Sequence, residues 1–299
     1  MSIISIGEIL WDVFETERHL GGAPLNVAAH ARRLGEAVAF ISAVGRDELG
    51  EEAVERCVQL GLDTTFIART DAAPTGTVDV FLTDGQPDFT INRPAAYDYP
   101  ILNDGDLSAI RAMRPTWVYF GTLNQLSSNA REVVRSVLRA FPSVPHFYDI
   151  NLRKNSYTAE LVFELLQDAT VLKINDEEIE VVRGMTGMSA EGLEQTAEAL
   201  AAAFGLESVC ITRGAEGCSI WRTGEWVECP GIPVTVADAV GAGDAFSAGL
   251  MHALTCSPKD TLEAAELANR LGALVASRSG AVPEWTHIDL DQVGHPKHN

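Results

Sequence analysis

Short apolar runs of strand length alternate with stretches of helical period along most of the chain. The apolar runs cover residues 3–6, 37–44, 116–120, 145–150, 170–174 and 208–212. The helical patterns cover residues 24–34, 48–60, 129–140, 158–167 and 189–204. Pro24 and Gly35 mark the first helix, and Asp47 and Gly61 mark the second. This alternation predicts an α/β fold, doubly wound, with a mostly parallel central sheet and helices on both faces.

One segment breaks the alternation. Residues 75–83 and 88–92 form two strand-like runs around Asp84-Gly85, a dipeptide typical of hairpin turns, and residues 13–20 predict a further strand. We therefore expect a single domain over residues 1–299, in which residues 13–20 and 75–97 form a small β lid over the ligand site. The alternative is an ordinary edge hairpin. Exposed strand edges on a lid can pair with a second copy, which predicts a homodimer through the lid.

Composition narrows the class of protein. Of the 299 residues, 46% are hydrophobic and 21% are charged, as in ordinary globular domains, and no apolar run approaches the roughly 20 residues of a membrane span. The first residues show no signal-peptide pattern, and none of the five cysteines forms a C-x-x-C pair. We therefore expect a cytoplasmic protein without a membrane segment, a disulfide framework or a zinc site.

The charge balance argues against nucleic acid as a partner. The chain has 42 Asp and Glu against 22 Lys and Arg, a formal net charge of −20, and it contains no basic cluster. Nucleic-acid backbones are bound by basic surfaces. An anionic small molecule can still bind where local donors outweigh the long-range field, because salt screens that field beyond roughly 10 Å.

The segment of residues 238–249 carries the clearest chemistry. It follows a strand-like run at 234–237 and opens an apolar helix that should reach Thr255. Gly241, Ala242 and Gly243 at the helix entrance leave N–H groups uncovered, and the helix dipole adds about half a positive charge, which favours a phosphate. Asp244, in the first turn, could take a proton from a hydroxyl group while those N–H groups hold the phosphoryl oxygens. The alternative is that Asp244 only stabilises the helix start and the glycines only form a tight turn.

This segment matches neither of two common nucleotide loops. It is not a G-x-x-x-x-G-K-[ST] loop, and it has Phe246 where a dinucleotide fingerprint requires Gly or Ala. A second loop-to-helix junction lies at residues 21–28. There, Gly21 and Gly22 allow a ligand to approach the backbone closely, and Asn26 offers a donor and an acceptor, which suits sugar hydroxyls. Taken alone, a junction of this kind is more often structural.

At these two segments the sequence resembles the ribokinase-like (PfkB) family of sugar kinases. Residues 238–246 match the family signature D-x-V/T-G-A-G-D-x-F. Residues 21–28, 33–35 and 44–50 match the signatures G-G-x-x-x-N-x-A, R-L-G and V-G-x-D-x-x-G. The resemblance covers nearly the whole chain. It implies a doubly wound α/β fold with a β lid over the sugar, and transfer of the ATP γ-phosphoryl group to a sugar hydroxyl with Mg²⁺.

The resemblance also implies roles for individual residues of the sugar and phosphate sites. Asp244 corresponds to the catalytic base of the family, and the anion hole corresponds to Gly241, Ala242 and Gly243. The positions that correspond to sugar-binding residues are Asp12, Gly21, Gly22 and Asn26.

The nucleotide contacts implied by the resemblance lie later in the chain. Residues 149–153, Asp-Ile-Asn-Leu-Arg, resemble the D-x-N-x-R of fructokinase-type and 2-keto-3-deoxygluconate-kinase-type members. Arg153 would contact phosphates and Asn151 would belong to the nucleotide site; the alternative for Arg153 is a surface salt bridge. Asn269 matches a residue near the adenosine, with an ordinary helix-face Asn as the alternative. The nucleotide loop T-x-G-x-x-G is matched by Thr212, Gly214 and Gly217.

Ion contacts are implied at two further places. Asn175 and Glu178 match the family motif N-x-x-E, in which the Glu acts on Mg²⁺ and phosphate mainly through water. The alternative for this motif is a helix start with exposed acids. Asp238 and the carbonyl group of Val240 fall where some members of the family bind K⁺.

The substrate class stays open among several sugars. The Gly-Gly-Ala-Pro-x-Asn segment, Gly7-Glu8 and the D-x-N-x-R segment are similar to fructokinase-type members, which favours fructose or another ketose. The segment around Arg93 is similar to keto-acid sugar kinases, where an Arg at this point meets a carboxylate. The alternatives are therefore a 2-keto-3-deoxygluconate kinase, a nucleoside kinase of the same family, and a non-catalytic sugar-binding regulator with this fold.

Overall fold

The computed structural model describes residues 2–83 and 86–294. The chain forms two compact units, Met1–Val144 and Pro145–Asn299. We call them unit 1 and unit 2. None of the helices within the described residues is both long enough and apolar enough to cross a membrane.

Unit 1 contains eight strands and four α-helices among its described residues. The strands are β1 (Ser2–Ile6), β2 (Leu10–Val13), β3 (Arg18–Gly21), β4 (Ala37–Gly45), β5 (Ile67–Thr70), β6 (Gly76–Thr83), β7 (Gln86–Ile91) and β8 (Trp117–Gly121). The helices are α1 (Ala23–Arg33), α2 (Glu48–Gln59), α3 (Asp104–Ala112) and α4 (Ser128–Ala140). Two short 3₁₀ turns cover Ala96–Asp98 and Leu123–Leu126.

The main sheet of unit 1 is parallel, with strand order β8-β1-β4-β5. All five residues of β1 are buried. Because this strand pairs on both edges, with Ile3 opposite Val38 on one side and Trp117 on the other, its sequence is apolar almost throughout. The run predicted at 3–6 is therefore the central strand of this sheet.

A second sheet in unit 1 has strand order β3-β2-β6-β7. The antiparallel β6–β7 pair confirms the predicted hairpin, whose Asp84-Gly85 turn lies outside the described residues. The single strand predicted at 13–20 is wrong. The chain turns there, because the Phe14 N–H donates to the Glu17 carbonyl (2.8 Å), and the two sides of the turn pair as β2 and β3.

Unit 2 contains five strands and six α-helices among its described residues. The strands are β9 (His146–Asp149), β10 (Val171–Asn175), β11 (Ser208–Thr212), β12 (Gly217–Arg222) and β13 (Glu225–Pro230). The helices are α5 (Ala159–Asp168), α6 (Asp176–Thr186), α7 (Gly192–Phe204), α8 (Ala242–Cys256), α9 (Thr261–Ala276) and α10 (His287–Gln292). A 3₁₀ turn covers Gly214–Glu216.

The strand order of unit 2 is β13-β12-β11-β10-β9, in which β9, β10 and β11 run parallel and β12 and β13 are antiparallel. The strand predicted at 234–237 before α8 is wrong. Val236 is 60% exposed, and the N–H groups of Ala237 and Asp238 donate to the Ala276 carbonyl of α9 rather than to a strand. The α/β class is confirmed: the main sheet of unit 1 is parallel throughout, and three of the five described strands of unit 2 run parallel.

Candidate active site

Helix α8 of unit 2 begins at the Gly241-Ala-Gly-Asp244 segment. Gly241 is its N-cap, with φ of 77°, and a Cβ at this position would lie 2.4 Å from the Ala281 carbonyl oxygen. Only glycine therefore fits this turn. The Ala242 N–H already donates to the Ala239 carbonyl (3.3 Å), whereas the N–H groups of Gly241 and Gly243 have no acceptor among the described residues. Two N–H groups thus lie without an acceptor at the positive end of a helix, and their assignment as an anion hole stays a prediction.

The two helices that follow the glycine motifs also lack side-chain caps. Gly22 precedes α1 and Gly241 precedes α8, and neither provides a capping side chain. An Asp, Asn, Ser or Thr side chain caps α2, α3, α4, α5, α6, α9 and α10, whereas α7, after Glu191, also has no side-chain cap. The first N–H groups of α1 and α8 are therefore not covered by a capping side chain.

A buried lysine lies beside the first turn of α8. Lys173 is on β10 and is 8% exposed, and its Nζ atom lies 3.0 Å from Asp149 Oδ1 on β9. A Cβ built on Gly243 would lie 3.2 Å from the same Nζ atom, which places the ammonium group directly against the anion-hole segment. Ser247 Oγ of α8 lies 3.0 Å from Asp149 Oδ2 and 3.0 Å from the Gly243 carbonyl oxygen.

The surroundings of Lys173 keep it charged. Burial alone would lower the pKa of its ammonium group, but the carboxylates of Asp149, Glu178 and Asp244 outweigh burial and raise that pKa. Sequence reasoning did not single out Lys173 or Ser247. The signal was present, however, because a lysine within the apolar run Val-Leu-Lys-Ile is a charge in a strand that should be buried.

The N-x-x-E motif forms the start of α6. Asn175 Oδ1 accepts the Glu178 N–H (2.7 Å), and Glu178 Oε2 accepts the Asn175 N–H (3.0 Å), which is a capping box. Glu178 Oε1 accepts the Leu152 N–H (2.8 Å), so this residue also holds the segment 149–153. Burial raises the pKa of Glu178, and Lys173 partly offsets that increase. Of the two sequence interpretations, the helix start is present, but Glu178 is buried rather than exposed.

The segment of residues 151–153 presents an unpaired cation. Asn151 has φ of 37°, a left-handed conformation that Asn tolerates better than most residues. Arg153 is exposed, and its guanidinium group forms no ion pair with any residue of the described chain. The surface salt bridge that was the alternative for Arg153 is therefore not found in the part of the chain that the structure describes.

The predicted nucleotide loop lies at the carboxyl end of β11. Thr212 ends this strand, opposite Asn175 of β10, and Gly214 begins the 3₁₀ turn that follows. At Gly217 a Cβ would lie 2.2 Å from the Cys229 carbonyl oxygen. Asn269 of α9 donates from Nδ2 to that same carbonyl (3.3 Å) and to the Pro230 carbonyl (3.2 Å). Gly217 and Asn269, far apart in the sequence, therefore meet at the end of β13.

Asp238 closes the loop that precedes α8. Its Oδ1 atom accepts the Val240 N–H (3.0 Å), and its Oδ2 atom accepts the Gly280 N–H (3.1 Å). Both carboxylate oxygens of Asp238 therefore accept backbone N–H groups of the chain itself. Among the described residues, no cluster of three or more His, Cys, Asp or Glu side chains is arranged to hold a metal ion.

The predicted sugar-binding residues lie in unit 1. Gly22, with φ of 115°, lies so close to Glu8 that a Cβ would be 2.4 Å from the Glu8 carbonyl oxygen. A Cβ on Gly21 would lie 2.9 Å from Asp12 Oδ2. Asn26 is buried in the first turns of α1. The paired glycines thus bring the start of α1 against the segment that follows β1 and against β2.

Arg93 of unit 1 is already paired within the chain. Its Nη2 atom forms an ion pair with Asp98, which is 5% exposed, and its Nη1 atom donates to the Leu123 carbonyl (2.9 Å). The guanidinium group also lies 5.6 Å from the centre of the Tyr97 ring. The carboxylate that Arg93 contacts is therefore the side chain of Asp98 and not that of a ligand.

A comparison with protein families places the chain as a whole. Residues 4–287 match the family described as pfkB family carbohydrate kinase. The chain belongs to the pfkB family of carbohydrate kinases. The family resemblance seen in the two signatures is thereby confirmed, and so is the general activity of a sugar kinase.

Two pfkB relatives match nearly the whole chain. An uncharacterized sugar kinase of Pyrococcus horikoshii is 30% identical over 310 residues, covering 97% of this chain and 94% of its own. The fructokinase of Escherichia coli is 31% identical over 276 residues, covering 88% of this chain and 87% of its own.

Solved structures agree with the pfkB assignment. The Pyrococcus horikoshii protein in complex with ATP has a TM-score of 0.80 and 28% identity, with 94% of each chain covered. The fructokinase from Xylella fastidiosa with bound ATP has a TM-score of 0.83 and 24% identity, again with 94% of each chain covered. The fold of this chain is ribokinase-like, as predicted.

Proposed function

We propose that this chain is an ATP-dependent kinase that transfers the γ-phosphoryl group to a hydroxyl group of a neutral ketose, with fructose as the leading candidate. The observation that carries the proposal is the start of α8, where two unused N–H groups, an adjacent Asp and a buried ammonium group lie together. The similarity to the Escherichia coli fructokinase supports the choice of sugar.

The reaction follows from these groups. The Asp244 carboxylate takes the proton of a sugar hydroxyl, whose oxygen attacks the γ-phosphorus of ATP. The new bond joins that oxygen to phosphorus, and the bond to the bridging oxygen breaks, so that its electron pair leaves on ADP. The N–H groups of Gly241 and Gly243 hold the negative charge of the transferring phosphoryl group, and Arg153 supplies a further cation to the phosphates.

ATP and its metal are assigned by the same reasoning. Thr212, Gly214, Gly217, Asn151 and Asn269 are proposed for the nucleotide, with support from the ATP complexes of the structural neighbours. Both carboxylate oxygens of Glu178 already accept backbone N–H groups, which suits contact with Mg²⁺ through water rather than direct ligation. When bound, Mg²⁺ would neutralise phosphate charge. A K⁺ ion beside Asp238 and Val240 stays part of the proposal.

The region around Arg93 favours a neutral sugar over a keto acid. Asp98 balances the charge of the guanidinium group, and the Leu123 carbonyl accepts from a second nitrogen, so the attraction to a substrate carboxylate is reduced. Next to Leu123, the Asn124 side chain is 1% exposed, and neither its nitrogen nor its oxygen has a hydrogen-bond partner in the described chain. Leaving a buried polar group unpaired costs about 1–3 kcal/mol, which a sugar hydroxyl could offset. We propose Asp12, Gly21, Gly22 and Asn26 as the other sugar contacts.

A substrate panel tests this proposal. Purified protein is given ATP, Mg²⁺ and, separately, fructose, ribose, adenosine or 2-keto-3-deoxygluconate, and ADP release is measured. We expect the highest kcat/KM with fructose. Asp244→Ala should lower kcat at least about 100-fold while ATP still binds, because the proton acceptor is lost. Asp104→Ala, which removes an exposed acid from the first turn of α3, is the matched control and should change little.

Each other result of the panel identifies a different function. Preference for 2-keto-3-deoxygluconate or adenosine would replace the ketose by that substrate class. Thermal shifts with sugars but no ADP release would indicate a non-catalytic sugar-binding regulator. Near-normal turnover by Asp244→Ala would remove the proposed mechanism.

A further inference from the structure

Three buried polar side chains connect the strands of unit 2 to the start of α8. Lys173 on β10, Asp149 on β9 and Ser247 on α8 are 8%, 1% and 0% exposed. Asp149 uses both carboxylate oxygens, one toward the Lys173 ammonium group (3.0 Å) and one toward the Ser247 hydroxyl (3.0 Å). Ser247 also reaches the Gly243 carbonyl (3.0 Å), so the chain of contacts ends on the anion-hole segment itself.

The ammonium group lies close to the backbone at residue 243. The Lys173 Nζ atom lies 3.2 Å from where a Cβ of Gly243 would stand, so a side chain at this position would press on the ammonium group. The groups that face this ammonium are Asp149 on β9, Glu178 on α6, Asp244 on α8 and the Cys210 thiol on β11. One cation therefore lies among three carboxylates, beside the two unused N–H groups.

The charge of Lys173 has a structural role and a second consequence. It pairs with the buried carboxylate of Asp149, which an apolar residue at 173 would leave without a counter-ion. Here the charge lies where a phosphoryl group would develop negative charge, in surroundings that exclude water and so strengthen electrostatic interactions.

We propose that Lys173 is a positioning residue for phosphoryl transfer, which holds the first turn of α8 through Asp149 and Ser247 and adds its positive charge to the anion site at Gly241 and Gly243. This inference rests on the proposed kinase function. Lys173 lies on a strand, outside the recognised sequence signatures. Its positive charge would contribute to the electrostatic stabilisation of the phosphoryl group during transfer.

The first test separates charge from packing. Lys173→Met keeps the apolar part of the side chain but removes the ammonium group. We expect kcat to fall about 100-fold, with the KM for the sugar changed less than about threefold, because the lost interaction acts on the phosphoryl group. Lys259→Met, at an exposed lysine between α8 and α9, is the control and should match the unmodified protein. Ser247→Ala should give a smaller decrease in kcat, because the ammonium group remains.

The second test restores the charge from solution. Lys173→Ala leaves space for a small amine, so methylammonium should recover at least about tenfold of the lost kcat, whereas the bulkier tetramethylammonium should not. Methylammonium should have no effect on Lys173→Met, in which that space is filled. Rescue of this kind does not follow from a purely structural role.

Binding measurements keep the outcomes distinct. Calorimetry of ATP against ADP should show that the preference for ATP decreases in Lys173→Met, and this readout requires no turnover. If the unmodified protein phosphorylates no sugar, the proposed function fails, whether or not the nucleotide preference changes. If Lys173→Met matches the unmodified protein in both kcat and nucleotide preference, or if its loss simply follows a loss of folded protein without amine rescue, the inference about Lys173 is overturned.

Discussion

Single glycines determine the backbone on which the candidate active site depends. Gly241 has a left-handed φ of 77°, and its missing Cβ leaves room for the Ala281 carbonyl at 2.4 Å. Gly205, at the end of α7, has a similar φ of 72° but no atom within 4 Å of a Cβ. The two positions therefore share the conformational requirement and differ in the steric one.

This pair of glycines gives a prediction at the residue scale. Gly205→Ala should lower the free energy of unfolding by about 1 kcal/mol, the cost of placing an L-residue in the left-handed region. Gly241→Ala should lower it further and should also abolish measurable phosphoryl transfer, because the Ala281 segment must move and the N–H groups of α8 move with it. Urea unfolding and ADP release measure the two effects. Equal unfolding costs and full activity in both variants would contradict the steric argument.

Individual site residues could be predicted from sequence where a motif fixes their neighbours. Asp244 and the glycines before it were proposed as site residues from the pattern of the helix start, with a structural alternative kept open. Lys173 and Ser247 were not, because their roles depend on contacts between β9, β10 and α8 that no local pattern encodes. Arg93 shows the same limit, since its pairing with Asp98 depends on how a short 3₁₀ turn folds back on it.

The start of helix α2 is fixed by the Asp of a sequence motif. Asp47 of the V-G-x-D-x-x-G segment was predicted as an N-cap, and its side chain accepts the Gly50 N–H (2.8 Å). It also accepts the N–H (2.8 Å) and the hydroxyl (2.6 Å) of Thr75, just before β6. One carboxylate therefore fixes the start of a helix and the approach to a strand of the second sheet. Burial raises the pKa of Asp47, but these hydrogen bonds outweigh burial and lower it.

The corresponding prediction is an acid-dependent loss of stability. Because the pKa of Asp47 in the folded protein lies below its ordinary 3.8, its stabilisation is complete above pH 3.8 and is lost as pH falls through the lower, folded value. Asp47→Ala should lower the free energy of unfolding by about 2 kcal/mol at neutral pH. Asp47→Asn should retain part of the cap and lose the pH-dependent part, as urea unfolding at several pH values can show. A steeper acid dependence in Asp47→Asn than in the unmodified protein would refute this assignment.

Helices and strands could be predicted from sequence where the spacing of apolar residues agrees with a residue that marks the end of the element. The run at 37–44 and the helix at 48–60 lie within one residue of β4 and α2. The two wrong strand predictions lie where no residue marked the end of the apolar run. Residues 13–20 contain a four-residue turn between two short strands, and residues 234–237 are half-exposed because they bond to a helix end rather than to a sheet.

At the scale of the whole molecule, the exposed aromatic residues of the second sheet bear on assembly. Phe81 and Phe89 are 44% and 56% exposed, and β3 and β7 are the edge strands of this sheet. Apolar residues beside open strand edges favour pairing with another chain. We propose that this sheet is the lid expected from the sequence, and that it joins two copies of the protein.

Light scattering after size exclusion tests this prediction. We expect a mass near twice the 32.2 kDa of the chain, and a single-chain mass for the double variant Phe81→Asp and Phe89→Asp. Val58→Asp, at a 59% exposed position on α2, controls for the added charge and should leave the mass unchanged. A single-chain mass for the unmodified protein at micromolar concentration would exclude the dimer.

The ion pair between Arg93 and Asp98 also bears on which substrates variants of this protein could accept. Asp98 of the chain itself supplies the counter-ion of Arg93, so we expect this region to attract an acidic ligand only weakly. Loss of the Asp98 carboxylate would leave the half-buried guanidinium group of Arg93 without its counter-ion, which would favour a ligand that carries a carboxylate. We therefore expect that substitution of residue 98 alone would shift the preference of this protein from neutral toward acidic sugars.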